Sequence, residues 1–153
     1  MNQMSTKERS NIAPVEVYKD EFISLHRFEG KDIVMCVADT EYIPIEHFKK
    51  SFMAIGELIK KNNWKALIFD KRNLNTFHQP SMEWYYTEWK ADMINHGLSS
   101  HYKILPSMPW FAKSVEAGKR DIKRNHPSFD FDEFSVKYVD SVEEAIKDFD
   151  QTN

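Results

Sequence analysis

Apolar and polar positions follow two rhythms along this chain, and the changes of rhythm divide it into elements. Residues 1–13 are polar without periodicity and read as a flexible leader, and Pro14 opens the folded part. Val15, Val17, Phe22, Ile23, Leu25 and Phe28 are strand formers, Glu29-Gly30-Lys31-Asp32 is a turn cluster, and Ile33 to Ala38 is a nearly unbroken apolar run. This pattern predicts a β-hairpin whose second strand is buried on both faces. Ile45, Phe48, Phe52, Ile55 and Ile59 then recur at helical spacing, with Pro44 in the first turn and Asn62-Asn63 as the stop. Trp64 to Phe69 is the next strand and ends at Asp70. A polar stretch leads to a second helix with Ser81 as its N-cap, Met82, Tyr85, Tyr86, Trp89 and Met93 on one face, and Gly97 as its C-terminal cap.

Tyr102 to Leu105 is a short strand. A third helix starts in the Pro106–Pro109 bracket, with Phe111, Ala112, Val115 and Ile122 inward, and stops before Pro127. Phe134, Val136, Tyr138 and Val139 make the last strand. Ser141-Val142-Glu143-Glu144 is a capping box for a final helix with Val142, Ala145, Ile146 and Phe149 inward. Residues 14–150 therefore read as one α/β domain, with 151–153 as a tail. Its mixed sheet has about five strands, an antiparallel hairpin followed by parallel crossovers, with about four helices packed on it.

Composition narrows the function. A chain of 153 residues and 18.2 kDa can bury a full core without a disulfide or metal staple. Its single cysteine, Cys36, lies in an apolar run and reads as a small buried hydrophobe. Four glycines leave little material for a phosphate-cradling loop, and no Walker, Gly-x-Ser-x-Gly or dinucleotide motif occurs. The six histidines form no zinc-binding spacing, so neither a metal nor a cofactor is expected. No apolar stretch approaches a membrane span or signal core, and the expected location is cytoplasmic. Six basic residues against two acidic ones lie between Lys103 and Arg124, and eight acidic residues against two lysines follow to the end. In a chain of net charge -3, this reads as a solvated basic face neutralised by an acidic helix, with no nucleic acid expected.

Three segments carry a resemblance to a known family. They are Val34 to Ala38 with Ile43-Pro44-Ile45-Glu46-His47-Phe48, then Ala66-Leu67-Ile68-Phe69-Asp70, and then Val136 to Ile146. Together they resemble the stage II sporulation protein AA-like group of the STAS superfamily, the sulfate transporter and anti-sigma-factor antagonist domains. The resemblance implies a STAS-like mixed sheet, a non-enzymatic role and a regulatory protein partner; some members bind nucleotides or lipid-like ligands. The chain departs from that pattern after Asp70. Where anti-sigma-factor antagonists carry Asp-Ser-(Ser/Thr)-Gly, this chain has Phe77-His78-Gln79-Pro80-Ser81-Met82. Gln79 stands at the phosphoacceptor position, and Ser81, a phosphorylation candidate, comes late and lacks the following glycine.

The candidate site is the stretch that begins at Asp70. Arg72 can meet an anionic ligand or an acidic partner, or simply pair with Asp70. Trp84 stands off the apolar face of its helix, while Phe77 and Trp110-Phe111 flank that helix and can gather into a pocket or an interface. The expected function is a regulatory interaction module that meets its partner through Asp70, Arg72, Phe77, His78, Ser81, Trp84 and Trp110. A small apolar-ligand or lipid-binding domain is the alternative. An enzyme using Asp70 and His78, with Glu83 nearby, comes third. An exposed Trp84 would favour a homodimer.

Overall fold

The computed structural model describes residues 13–152, so the leader expected over 1–13 lies, but for Ala13, outside the described residues. Strands β1 (Pro14–Lys19), β2 (Ile23–Phe28), β3 (Ile33–Ala38), β4 (Ala66–Asp70), β5 (Ser100–Ile104) and β6 (Ser135–Tyr138) form one sheet in chain order. β1, β2 and β3 are antiparallel neighbours, and β3 to β6 are parallel. Helix α1 spans Ile45–Asn62, α3 Pro109–Asn125 and α4 Val142–Thr152. Helix α2 comprises Gln79–Trp84, a π-helical stretch Tyr85–Lys90, and Ala91–Ile94. The α/β class, the leading hairpin and the parallel crossovers are as the hydrophobic pattern predicts.

The sixth strand arises because the first apolar run breaks at Asp20. That carboxylate accepts from the amides of Phe22 and Ile23 at 2.9 Å each, from Tyr18 Oη at 2.7 Å and from Ser51 Oγ of α1 at 2.5 Å. One side chain thus closes the β1–β2 turn and ties it to α1. Burial alone would raise the Asp20 carboxyl, but the bonds from Ser51, Tyr18 and the two amides outweigh it and hold it below its usual value. The stabilisation is therefore present above about pH 3.9 and is lost as pH falls through the lower folded value. Asp20→Asn should cost about 1 kcal/mol at pH 7 and flatten this acid-side loss. Urea denaturation at pH 7 and pH 3 measures both effects.

Three sequence expectations shift at element ends. Helix α2 is capped by His78 and begins at Gln79, so Ser81 is not the N-cap; it lies inside the first turn and is buried. Pro80, which has no amide proton to lose, occupies that first turn and lets the helix start earlier. Ala112 is exposed, whereas Phe111, Val115 and Ile122 are buried as expected. Gln151 and Thr152 belong to α4 and are not a tail. At the start of α4, Ser141 Oγ accepts from the Glu144 amide at 3.1 Å and the Glu144 carboxylate accepts from the Asp140 amide at 3.0 Å. Both halves of the capping box are thus formed, the second one residue ahead of the cap.

Because strand order follows chain order, crossovers of one hand carry α1, α2 and α3 to the same face of the sheet. Val34, Cys36, Leu67 and Phe69 pack under that helical layer, while Ile33, Met35, Ala66 and Ile68 alternate with them and pack against Ala145, Ile146 and Phe149 of α4. Cys36 is a fully buried free thiol, as expected. The order never reverses, so there is no switch-point crevice of the doubly wound kind. Among the described residues, no helix is long and apolar enough to cross a membrane.

Candidate functional site

Strand alternation sends two titratable side chains of β5 into the helical layer. Tyr102 and Ile104 face α4, which leaves His101 and Lys103 on the opposite face, each 1% exposed. Lys71 follows β4 in the same alternation as Phe69, and its ammonium nitrogen lies 4.9 Å from that ring's centroid. From above, the π-helical stretch of α2 buries Tyr85, Tyr86, Trp89 and Lys90 together. A π-helix closes its bonds at i→i+5, and the wider turn lets two adjacent pairs of residues face the sheet at once.

The result is a knot of amines under aromatic rings. Lys103 Nζ donates to Tyr86 Oη at 2.8 Å and shares a hydrogen bond with the amine of Lys71. Lys90 Nζ sits 4.4 Å from the Tyr86 ring centroid and 5.2 Å from that of Tyr85, is fully buried, and has no hydrogen-bond partner. Neither ring nitrogen of His101 has a partner. Among the described residues, no carboxylate forms an ion pair with Lys71, Lys90 or Lys103.

Two like charges about 4 Å apart repel by about 4 kcal/mol even at an effective dielectric of 20, and cation–π attraction returns only about 2 kcal/mol at a desolvated site. The knot therefore cannot hold three protons. Burial first, and then the charge of Lys103, push Lys71 well below its usual value. Burial and the other lysines do the same to Lys90. Lys103 is brought down to about 7, chiefly by burial and then by Lys119. His101 is lowered by burial and by Lys90 and Lys103, so it is neutral at pH 7. Burial raises the Tyr86 phenol to about 12.

Lys71 opens this knot to a cavity of about 60 Å³, whose lining includes Lys71, His78, Phe77, Tyr85, Phe111 and Tyr42. A larger open cleft of about 660 Å³ runs past the ends of β5 and β6, lined in part by Arg72, Ser107, Glu116, Tyr138 and Asp140. The larger cleft is the weaker site for a charged ligand, because its arginine is already paired and carboxylates stand beside it. Arg72 Nε and Nη2 donate to the two oxygens of Asp70 at 3.0 and 2.8 Å, and the Arg72 amide adds a third bond at 3.1 Å.

The structure divides the sequence-derived site residues among separate places. Asp70 and Arg72 form the pair just described, while Phe77 and His78 line the Lys71 cavity. No cavity is lined by both Asp70 and His78, and they share no hydrogen bond. Ser81 Oγ lies 2.9 Å from His78 Nδ1 in a buried position. Glu83 turns away to His126 Nε2 at 3.3 Å and Asn125 Nδ2 at 3.2 Å. Trp84 is half-buried, edge-on to Phe48 with Lys49 Nζ 5.9 Å from its ring, in a groove of about 220 Å³ with Met53 and Lys60. Trp110 is 45% exposed beside Phe111. No group of three His, Cys, Asp or Glu able to hold a metal occurs among the described residues.

The lysines are what sequence reasoning missed. Lys103 was grouped with a solvated basic face, and the structure corrects this: it is buried. Its signal was present as a charged residue in the middle of Tyr102-Lys103-Ile104, an inner parallel strand with both faces covered. Lys90, next to the inward Trp89, gave no such signal, because a regular helix would not be expected to bury both. Compared with known protein families, curated proteins and solved structures, the chain matches none.

Proposed function

We propose that this chain is a non-enzymatic binding module for a small organic anion with an apolar body, received in the cavity beside Lys71. One observation carries the reading: Lys71, Lys90 and Lys103 converge in a buried aromatic setting with no acid to balance them. Burying polar groups without partners costs about 1–3 kcal/mol each, a penalty that packing alone does not require. An anion in the cavity would let the knot keep a proton and would convert that penalty into affinity. The apolar walls supplied by Phe77, Phe111 and Tyr85 favour a carbon skeleton over inorganic phosphate. This develops the ligand-binding alternative of the sequence reading, and the STAS-like resemblance is in keeping with a non-catalytic role.

Benzoate should raise the melting temperature while benzamide, its neutral isostere, should not, and Lys71→Met should remove the difference. Equal shifts with the two compounds, or no shift with benzoate or hexanoate, would overturn the reading. A second reading, a protein-interaction module, is favoured by the exposed Trp110 and Tyr42 beside the same cavity, each more than 40% exposed. Sedimentation of the intact protein with and without Trp110→Ala tests its homodimer form. A monomer at all concentrations removes that form.

A further inference from the structure

The amine pair at the mouth of the knot has a chemistry beyond holding charge. Lys71 lines the cavity and shares a hydrogen bond with Lys103, which lies behind it and is almost wholly buried. In an amine–ammonium hydrogen bond one nitrogen donates a proton and the other accepts with its lone pair. Lys103 is the donor in its other bond, to Tyr86 Oη at 2.8 Å. Lys71 is the member that reaches the cavity. We propose that Lys71 captures a small carbonyl compound as a reversible imine, and that the carbonyl compound is a 2-oxo acid.

This rests on the anion-binding reading, since the same cavity and the same cation are used. In a 2-oxo acid the carboxylate is bonded directly to the reacting carbon. A carbonyl placed at Lys71 Nζ therefore brings the carboxylate within reach of the neighbouring ammonium. The amine lone pair adds to the carbonyl carbon, and the oxygen takes up a proton to give a carbinolamine. Loss of that oxygen as water leaves the C=N bond, so amine and ketone become imine and water with no change of oxidation state. His78 lines the same cavity. Its Nδ1 is engaged with Ser81 Oγ, which leaves Nε2 as the nitrogen able to pass the proton.

The groups that act on Lys71 favour the neutral amine. Cys36 comes from β3, Lys103 from β5, Tyr85 and Lys90 from α2, Lys119 from α3, and His78 from the loop before α2. No carboxylate is among them. Burial and the charge of Lys103 lower the Lys71 amine well below the ordinary value of about 10.4, at which fewer than about one exposed lysine in a thousand is neutral at pH 7.

The test is reductive trapping. The intact protein is incubated with pyruvate at pH 7, treated with cyanoborohydride, and mapped by peptide mass spectrometry. Lys71 should acquire the reduced adduct at least about tenfold faster than exposed Lys50, reflecting its larger neutral fraction. Lys71→Arg should abolish that adduct and leave the one at Lys50 unchanged. In Lys103→Met, the pH giving half-maximal labelling of Lys71 should move upward, a shift that a merely structural Lys103 would not produce. Labelling of Lys71 no faster than Lys50, in protein whose melting temperature pyruvate still raises, overturns the imine and leaves the anion site standing. Absence of both labelling and thermal shift overturns the two together.

Discussion

Lys90→Met should make this protein more stable by about 1–3 kcal/mol at pH 7, the reverse of the usual outcome for a fully buried position. Methionine matches the length and flexibility of the lysine stem and removes an amine that has no hydrogen-bond partner. It also relieves repulsion from Lys103 and Lys71, the charges that lower Lys90 after burial itself. Replacing an uncompensated buried charge by a well-packed hydrophobe is commonly stabilising for this reason. In a domain of this size the gain corresponds to roughly 2–4 °C in Tm per kcal/mol.

The pH dependence gives the sign a second check. Lys90 is protonated in the unfolded chain up to about pH 10.4 and has a much lower folded value, so folding releases a proton between the two. The penalty is absent above the unfolded value, grows as pH falls, and levels off below the folded value. The wild-type protein should therefore gain stability between pH 7 and pH 10, and the advantage of Lys90→Met should shrink over that range. Urea denaturation at pH 7, 8.5 and 10 measures this. A loss of stability in Lys90→Met, or a difference unchanged across pH, would falsify the picture of an unpaired amine retained for function. If the amine serves the anion site, the stabilised variant should also lose the benzoate-dependent thermal shift, a trade of stability for binding that functional sites often show.

Gly118→Ala should destabilise by about 1–2 kcal/mol. Gly118 lies inside α3 where that helix meets the start of α2. A methyl group there would stand 2.5 Å from Gln79 Oε1, 2.9 Å from Met82 Sδ and 2.9 Å from Phe77 Cζ. Alanine is the better helix former by about 1 kcal/mol, while overpacking a close contact costs about 1–3 kcal/mol. The overpacking wins because three side chains must yield at once, and Met82 belongs to the main core. Phe77 and Met82 also line the Lys71 cavity, so the same substitution should weaken benzoate binding. Thermal melts with and without benzoate read both effects. A variant at least as stable as wild type would mean that α2 and α3 are free to move apart.

Most of the fold was legible in the sequence, and particular residues show why. The stripe from Ile45 to Ile59 and the run Ile33 to Ala38 carry their burial in their spacing, because helix and strand periodicities are local properties of the backbone. Asn63, with φ 56°, ends α1 where the Asn pair predicted a stop. The start of α2 was less legible, since Ser81 has the chemistry of a cap but Pro80 and His78 place the first turn earlier. Part of the site was visible as well: Phe77, His78 and Lys71 lie in the stretch singled out after Asp70. Asp70 and Arg72, the most conspicuous charges there, hold one another instead of facing a ligand.

The sequence alone determined what depends on near neighbours: the α/β class, the hairpin followed by crossovers, the inward face of each helix, and the absence of local catalytic motifs. The tertiary structure decided what depends on contacts between distant segments. Lys71, Lys90 and Lys103 look like ordinary surface lysines in a one-dimensional reading, because most lysines are exposed. They become a site only when β4 and β5 lie side by side in parallel register and the π-helical stretch of α2 turns both Tyr86 and Lys90 down onto them. The unpaired charge, the lowered amine values and the cavity at Lys71 are consequences of that convergence, since desolvation and like-charge repulsion act through space and not along the chain.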